Sequence, residues 1–159
     1  MDQKLFLDAA CKYKDTVFRI AINYLGNKFD AEDTVQEVML KLFIHSKPFD
    51  SEDYLKNWLI RVTINACKNN LRMPWRRKNV ALDELRGAVE FTGEEDSGLF
   101  QTVMSMPEKY RTVLYLFYYE ELSVKEISTV LKVSITNVTT RLERARKQLK
   151  CLLTEVYPG

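Results

Sequence analysis

The chain has 159 residues, enough for one or two compact domains with a modest core. Hydrophobic residues make up 46% and charged residues 29%, the balance of a globular protein rather than a disordered or fibrous one. A net charge of +2 excludes little by itself, but its distribution is uneven: residues 1–78 carry 14 basic and 10 acidic groups, residues 99–159 carry 9 and 6, and residues 79–98 set Arg86 against six carboxylates. Two mildly basic blocks joined by an acidic strip predict two anion-binding domains, 1–78 and 99–159, with a flexible linker over 79–98.

Four prolines and five glycines punctuate the chain too rarely for many strands, so an all-α fold of two small helical domains is expected. The longest apolar run, Val113 to Tyr119, is too short to cross a bilayer, and Asp8, Lys12 and Lys14 interrupt the N-terminus where a signal peptide would be apolar. No membrane insertion and a cytoplasmic location are therefore expected. Cys11, Cys67 and Cys151 lie far apart, with His45 as the single histidine. They predict buried reduced thiols, with no metal site and no cofactor.

In chain order, Leu5, Ala9, Val17, Ala21 and Tyr24 recur at helical spacing, and Gly26-Asn27 is a stop signal. Asp30 is placed to cap a second helix whose stripe is Val35, Val38, Met39, Leu42 and Phe43. Pro48 closes a turn, and Ser51 caps a third helix with the stripe Tyr54, Leu55, Trp58, Leu59 and Val62, which Pro74 ends. Periodicity is then lost until Leu99, save for a helical turn expected near Leu82–Leu85. Pro107 opens a helix running to about Glu120, Ser123 caps a short one with Ile127 and Leu131, and Ser134 caps the last, buried along Val138, Leu142, Ala145 and Leu149.

Two capped helices about three residues apart, the second longer and cationic, match the helix-turn-helix plan. Thr136, Thr140, Glu143, Arg144 and Lys147 lie opposite the apolar edge, with Asn137 and Arg141 flanking. Short polar groups there suit base edges, and Arg and Lys suit phosphates. The plain alternative is an amphipathic helix with a solvated face, in which Glu143 pairs with Lys147 at i, i+4. The third helix ends the first block with Arg61, Asn65, Lys68, Asn69, Asn70 and Arg72, followed by Trp75, Arg76, Arg77 and Lys78. Cations, amides and aromatics together fit a groove for single-stranded nucleic acid.

The string Asp30-Ala31-Glu32-Asp33-Thr34-Val35-Gln36-Glu37-Val38, with Trp58-Leu59-Ile60-Arg61-Val62 and Asn65, resembles region 2 of the extracytoplasmic-function (ECF) σ factors of bacterial RNA polymerase. Met106-Pro107-Glu108-Lys109-Tyr110-Arg111, Leu122-Ser123-Val124-Lys125-Glu126-Ile127 and Arg141-Leu142-Glu143-Arg144-Ala145-Arg146 resemble their region 4. The resemblance covers nearly the whole chain in order. It implies that Asp33, Gln36, Glu37 and Leu40 dock on the β′ clamp helices of core RNA polymerase, with the β subunit as a further contact. It further implies that the loop from Lys47 to Asp53, with Lys47, Phe49 and Asp50, captures a base extruded from the upstream melted element. Lys41, Arg61 and Asn65 would line the melted strand, and Arg76 and Arg77 would hold its phosphates. Asn137, Thr139, Thr140, Arg141, Glu143, Arg144 and Lys147 would bind the distal promoter element. An anti-σ factor is an implied partner beside polymerase and promoter DNA.

Three positions depart from the family pattern: Lys132 stands where Gly is usual before the turn, Thr139 where a basic residue is common, and Glu143 where an aromatic or His is common. Two domains on a flexible linker have no fixed spacing of their own, so polymerase is expected to hold them apart. The runner-up is a conventional helix-turn-helix regulator with an N-terminal dimerisation or ligand domain. An enzyme is the distant third: there is no G-x-S-x-G, Gly-rich phosphate loop or HExxH, and no residue is assigned a catalytic role.

Overall fold

Within the residues that the computed structural model describes, 1–71 and 97–156, seven α-helices follow one another without a strand. They are α1 (Gln3–Leu25), α2 (Lys28–Ile44), α3 (Glu52–Leu71), α4 (Ser97–Met104), α5 (Glu108–Leu114), α6 (Val124–Leu131) and α7 (Ile135–Val156). The basic run 72–78 with Arg76 and Arg77, the acidic strip as far as residue 96, and the turn expected near Leu82–Leu85 lie outside the described residues. Helix α4 begins at Ser97, the first residue described after the gap.

Local chemistry accounts for the ends. Asp2 caps α1 by accepting from the Lys4 N–H at 2.9 Å, and Gly26, at φ +72°, ends the helix in the left-handed conformation that only glycine adopts freely. The cap of α2 is Asn27 rather than Asp30: its Oδ1 accepts from the Asp30 N–H at 3.1 Å. The helix therefore starts at Lys28, one turn's side chains earlier than the charge pattern indicates, and Asp30 sits in its first turn, where its charge meets the helix dipole. Ser51 caps α3 through the Tyr54 N–H. After α5 the chain widens into one π turn, Tyr115–Tyr119, in which the Tyr115 and Tyr119 rings stack at 4.9 Å.

The helix-turn-helix is closed by side chains as well as backbone. Ser123 and Glu126 form a reciprocal capping box, each side chain accepting from the other's backbone N–H at 3.0 Å. Lys132 ends α6 at φ 59°, ψ 45°, and its N–H reaches the Ser128 carbonyl. The position takes the left-handed conformation that a glycine would occupy without strain. Ser134 then caps α7 through the Asn137 N–H at 3.0 Å.

Two apolar clusters hold these helices. A smaller one joins Ala9, Tyr13 and Val17 of α1 to Val38 and Leu42 of α2 and Leu55, Leu59 and Ala66 of α3. A larger one begins at Ile20, Ala21, Tyr24 and Leu25 of α1, takes in Ile60, Ile64 and Cys67 of α3, and continues into Met106, Val113, Leu116, Ile127, Leu131, Val138, Leu142 and Ala145. The larger cluster thus draws on helices from both sides of residues 72–96. Phe43 and Tyr54, assigned to buried stripes by spacing, are 47% and 52% exposed; each lies at the rim of its helix's apolar arc. Of the three thiols only Cys67 is buried, and burial pushes its pKa up; Cys11 and Cys151 lie on the outer faces of α1 and α7.

Polar contacts reinforce the boundary. The Arg111 guanidinium donates to the Asn23 carbonyl at 2.7 Å and the Tyr24 carbonyl at 2.8 Å, closing the C-terminus of α1, and also to the Met106 carbonyl at 2.9 Å. A cation among helix-end carbonyls meets both their hydrogen-bonding need and the negative end of the dipole. Lys68 donates to the Leu131 carbonyl at 3.2 Å, and the Asn57 amide donates to Glu126 at 3.1 Å. Lys56 lies 3.7 Å from Glu120, whose carboxylate is buried and also accepts from the Tyr115 hydroxyl.

Candidate nucleic-acid interface

The outer face of α2 exposes Asp33, Gln36, Glu37 and Leu40, while its inner face buries Ala31, Thr34, Val38 and Leu42. Leu40 is 61% exposed, with Phe43 and Ile44 beside it at 47% and 67%. An acidic turn leading into an apolar end is a surface suited to another helix. Lys41, half-buried, lies on the other side of the same helix end.

The loop between α2 and α3 carries Lys47, Phe49 and Asp50, of which Lys47 and Asp50 are exposed and Phe49 is half-buried. Phe49 packs on Trp58 of α3 with ring centroids 5.3 Å apart, so Trp58 belongs both to the edge of the smaller core and to the loop. A cleft of about 530 Å³ opens between the loop and α1, walled by Leu5, Asp8, Tyr13, His45, Lys47 and Phe49. At the far end of the loop the Glu52 carboxylate accepts from the Tyr13 hydroxyl at 2.5 Å and from Lys12 Nζ at 3.0 Å. These two donors, Tyr13 foremost, hold the Glu52 carboxyl below its ordinary range.

Arg61 and Asn65 lie on α3 and are both half-buried. Beside Arg61 lies α6: Lys125, Glu126, Thr129 and Val130 face Tyr54, Asn57, Trp58 and Arg61 across a groove of about 280 Å³. The first helix of the helix-turn-helix therefore lies along the strand-binding edge expected of α3. Arg76 and Arg77, expected to extend that edge, lie outside the described residues.

On α7 the expected reading edge is open. Asn137, Thr139, Glu143, Arg144 and Lys147 are exposed, Thr140 and Arg141 are half-buried, and Val138, Leu142 and Ala145 face the core. Glu143 and Lys147 lie 3.7 Å apart at i, i+4, both well exposed. The Thr139 hydroxyl donates to the Thr136 carbonyl at 2.9 Å, which leaves its lone pairs and methyl group outward. Arg141 sits close enough to Tyr24 to act on the charge of its phenol, which places it at the inner border of the edge.

Three contributors escaped the sequence reading. Glu126 follows Ser123 by three residues, a capping-box spacing that was legible, but its bond to Asn57 was not. Arg111 reaches carbonyls 87 and 88 residues away and left no local signal. His45 stands four residues before Phe49 in a loop of few aromatics, and only the fold brings both against Trp58. Among the described residues no group of three or more His, Cys, Asp or Glu could hold a metal ion, and no helix is long and apolar enough to cross a membrane.

Comparison with known proteins gives the same order of parts. The family described as Sigma-70 region 2 matches residues 11–77, and that described as Sigma-70, region 4 matches residues 99–149. The ECF RNA polymerase sigma factor SigW of Bacillus subtilis is 29% identical over 98% of this chain and 92% of its own length. SigM of the same organism is 31% identical over 88% of this chain and 90% of its own. In fold, the chain matches the sigma factor RpoE in its complex with the anti-sigma factor NepR from Bartonella quintana, with a TM-score of 0.76 at 20% identity, covering 95% of this chain and 98% of that one. It also matches CnrH in complex with the cytosolic domain of CnrY, with a TM-score of 0.64 at 22% identity, covering 97% of this chain and 90% of that one. With both regions in sequence and a relative 31% identical along most of its length, the chain belongs to the ECF σ factors, which bind core RNA polymerase and direct it to promoters.

Proposed function

We propose that the two blocks divide promoter recognition between a strand-capturing surface and a duplex-reading one, with polymerase held by a third. The exposed face of α2, with Asp33, Gln36, Glu37 and Leu40, docks on the β′ clamp helices. The 45–51 loop, with Lys47, Phe49 and Asp50, takes a base extruded from the upstream melted element. Capture of that base offsets the few kcal/mol lost in unstacking, so recognition and opening are one event. Lys41, Arg61 and Asn65 line the strand beyond it, continued by Arg76 and Arg77. On α7, Asn137, Thr139, Thr140 and Glu143 address base edges in the distal element, while Arg141, Arg144 and Lys147 hold phosphates.

The chain performs no bond-forming step; it acts in the cytoplasm, where polymerase supplies the chemistry. An anti-σ partner would silence it by covering the α2 face or the α7 edge. The observation that carries this reading is the pairing, in one chain, of an outward acidic-apolar face on α2 with an outward cationic edge on α7. A conventional regulator needs the second but gives no reason for the first. Run-off transcription from a genomic library, with core enzyme alone and then with the chain added, tests it. New start-site-specific transcripts are expected. Tight binding to duplex DNA by the chain alone, with no new transcripts on adding core, would favour a conventional regulator.

A further inference from the structure

The seven residues 45–51 between α2 and α3 have no regular structure. Ordering such a segment costs backbone entropy at every residue, so a receptor that had to be ordered at each capture would bind weakly. This loop is already tied. The His45 N–H donates to the Leu42 carbonyl at 3.2 Å, and His45 Nδ1 lies 2.8 Å from the Lys47 carbonyl. A carbonyl only accepts, so Nδ1 carries the proton whether the ring is neutral or charged. The imidazole stacks on Phe49 at 4.5 Å with planes 14° apart, and its edge meets Trp58 at 4.9 Å and 70°. One ring thus fixes the backbone of Lys47 and one face of Phe49, against a tryptophan that is itself packed on the smaller core.

We propose that His45 is the positioning residue of base capture: it holds Phe49 and Lys47 in the geometry that receives the extruded base, without touching the DNA. The proposal rests on the reading of the 45–51 loop as the base receptor. Its physical content is preorganisation. With His45 in place, Phe49 offers one fixed face to an incoming base. Without it, the Phe49 ring and the Lys47 backbone must be immobilised at the moment of capture.

The test uses holoenzyme reconstituted from core polymerase and the full chain, on a promoter recovered by run-off selection, with 2-aminopurine in the upstream melted element. His45→Ala should slow the fluorescence rise that reports extrusion about tenfold, the effect of ordering one or two side chains. It should also flatten the preference among the four bases at that position. Closed-complex affinity and polymerase binding should stay as in the wild type, which a merely structural loss would not leave untouched. His45→Phe keeps the stack and should recover most of the rate; His45→Asn keeps only a side-chain N–H and should recover little. Wild-type opening by His45→Ala overturns the proposal. Faster opening overturns it too, because the imidazole would then be occupying the base's own place. Should His45→Ala destabilise the chain, the other pair decides, and equal rates for His45→Phe and His45→Asn count against positioning. Phe49→Ala and Lys47→Ala run in parallel. If both open normally, the base-receptor reading itself fails; if they are impaired while His45→Ala is not, only the role of His45 falls.

Discussion

The α3 edge proposed to line the melted strand and the α7 edge proposed to read the duplex are built from similar residues and left in opposite states. On α7, Asn137, Thr139, Arg144 and Lys147 stand in solvent on a helix held only from behind. On α3, Arg61 and Asn65 are half-buried, Arg61 lies across a groove from α6, and Asn57 is engaged by Glu126. The difference follows from how the second block packs on the first, α5 against α1 and α6 against α3, which covers part of the α3 edge. In this arrangement the residues proposed to read the duplex are open and part of the edge proposed to line the melted strand is covered, so the proposed function requires α6 and α3 to separate before the two edges serve DNA equally. The expectation that the blocks have no fixed spacing therefore holds only once the shared core is opened.

The largest expected effect tests that sharing. Leu142 is 2% exposed, in the core that spans both blocks, whereas Leu42 is fully buried in the smaller core confined to α1–α3. Each Leu→Ala change should cost about 2–5 kcal/mol. If the core is shared, Leu142→Ala lowers the urea midpoint of both blocks together, seen equally by Trp58 fluorescence and by amide exchange in α7. Separate transitions for the two probes would show instead that the blocks fold independently.

Next in size is Arg111, which bonds the end of α1 to the second block through the Asn23 and Tyr24 carbonyls. Arg111→Ala leaves the Asn23 and Tyr24 carbonyls without their partner and should cost about 2–4 kcal/mol, as expected for charge-assisted bonds in a partly buried site. The loss should weaken the boundary more than either block, raising hydrogen exchange at the C-terminal turn of α1 first.

The α7 edge can be dissected without disturbing the boundary. Thr140→Ala should relax preference at one base pair of the distal element, by about 1–3 kcal/mol if its hydroxyl bonds a base. Lys147→Ala should weaken all sequences alike and reduce the salt slope by about one. Holoenzyme affinities for a set of single-base promoter variants at several salt concentrations separate the two, and identical patterns would contradict the division.

A smaller effect, of opposite sign, belongs to Lys132. Its left-handed backbone costs a residue with a Cβ about 1–2 kcal/mol relative to glycine, part of which glycine's own unfolded freedom offsets. Lys132→Gly should therefore raise stability by about 0.5–1 kcal/mol in thermal unfolding while leaving the turn unchanged. The departure from glycine was legible in the sequence, and so was the strain it implies.

What else was legible follows a physical line. Helix ends set by neighbours, such as Gly26, Ser51, Ser123 and Ser134, could be read because cap and capped group lie within four residues. The Asn27 cap was missed because Asp30 and Glu32 carry the stronger dipole signal while the hydrogen bond itself starts one turn earlier. Exposure on α2 and α7 followed from periodicity, since a face opposite a buried stripe is outward whatever packs beneath. The packing of α5 on α1 and α6 on α3 was not legible, because Asn57, Lys68 and Arg111 meet partners 63 to 88 residues away through bonds that any polar surface residue could make. The same limit hid His45, whose proposed role depends on three rings meeting from a loop and one helix.

The smallest expected effect is a pH dependence at the boundary between the two edges. Glu126 accepts from the Ser123 N–H and from the Asn57 amide, and these bonds, the backbone one foremost, hold its carboxyl below the ordinary range against the opposing effect of burial. A carboxyl whose pKa falls on folding stabilises the fold fully above its unfolded value, about 4.3, and loses that contribution as pH drops through the folded value. Protonation of Glu126 should thus loosen both the α6 cap and its bond to Asn57, freeing α6 from α3 while α7 stays docked through Val138 and Ala145. Thermal midpoints of the wild type and Glu126→Gln should differ at pH 7 and converge in acid once pH has fallen through the folded value, because the acid form of Glu126 resembles the amide. The Asn57 side-chain amide signals, followed by NMR over the same range, should shift in the wild type alone. A gap between the two proteins that persists unchanged into acid would assign the stabilisation to shape rather than charge and remove Glu126 as an electrostatic tie between the strand reader and the duplex reader.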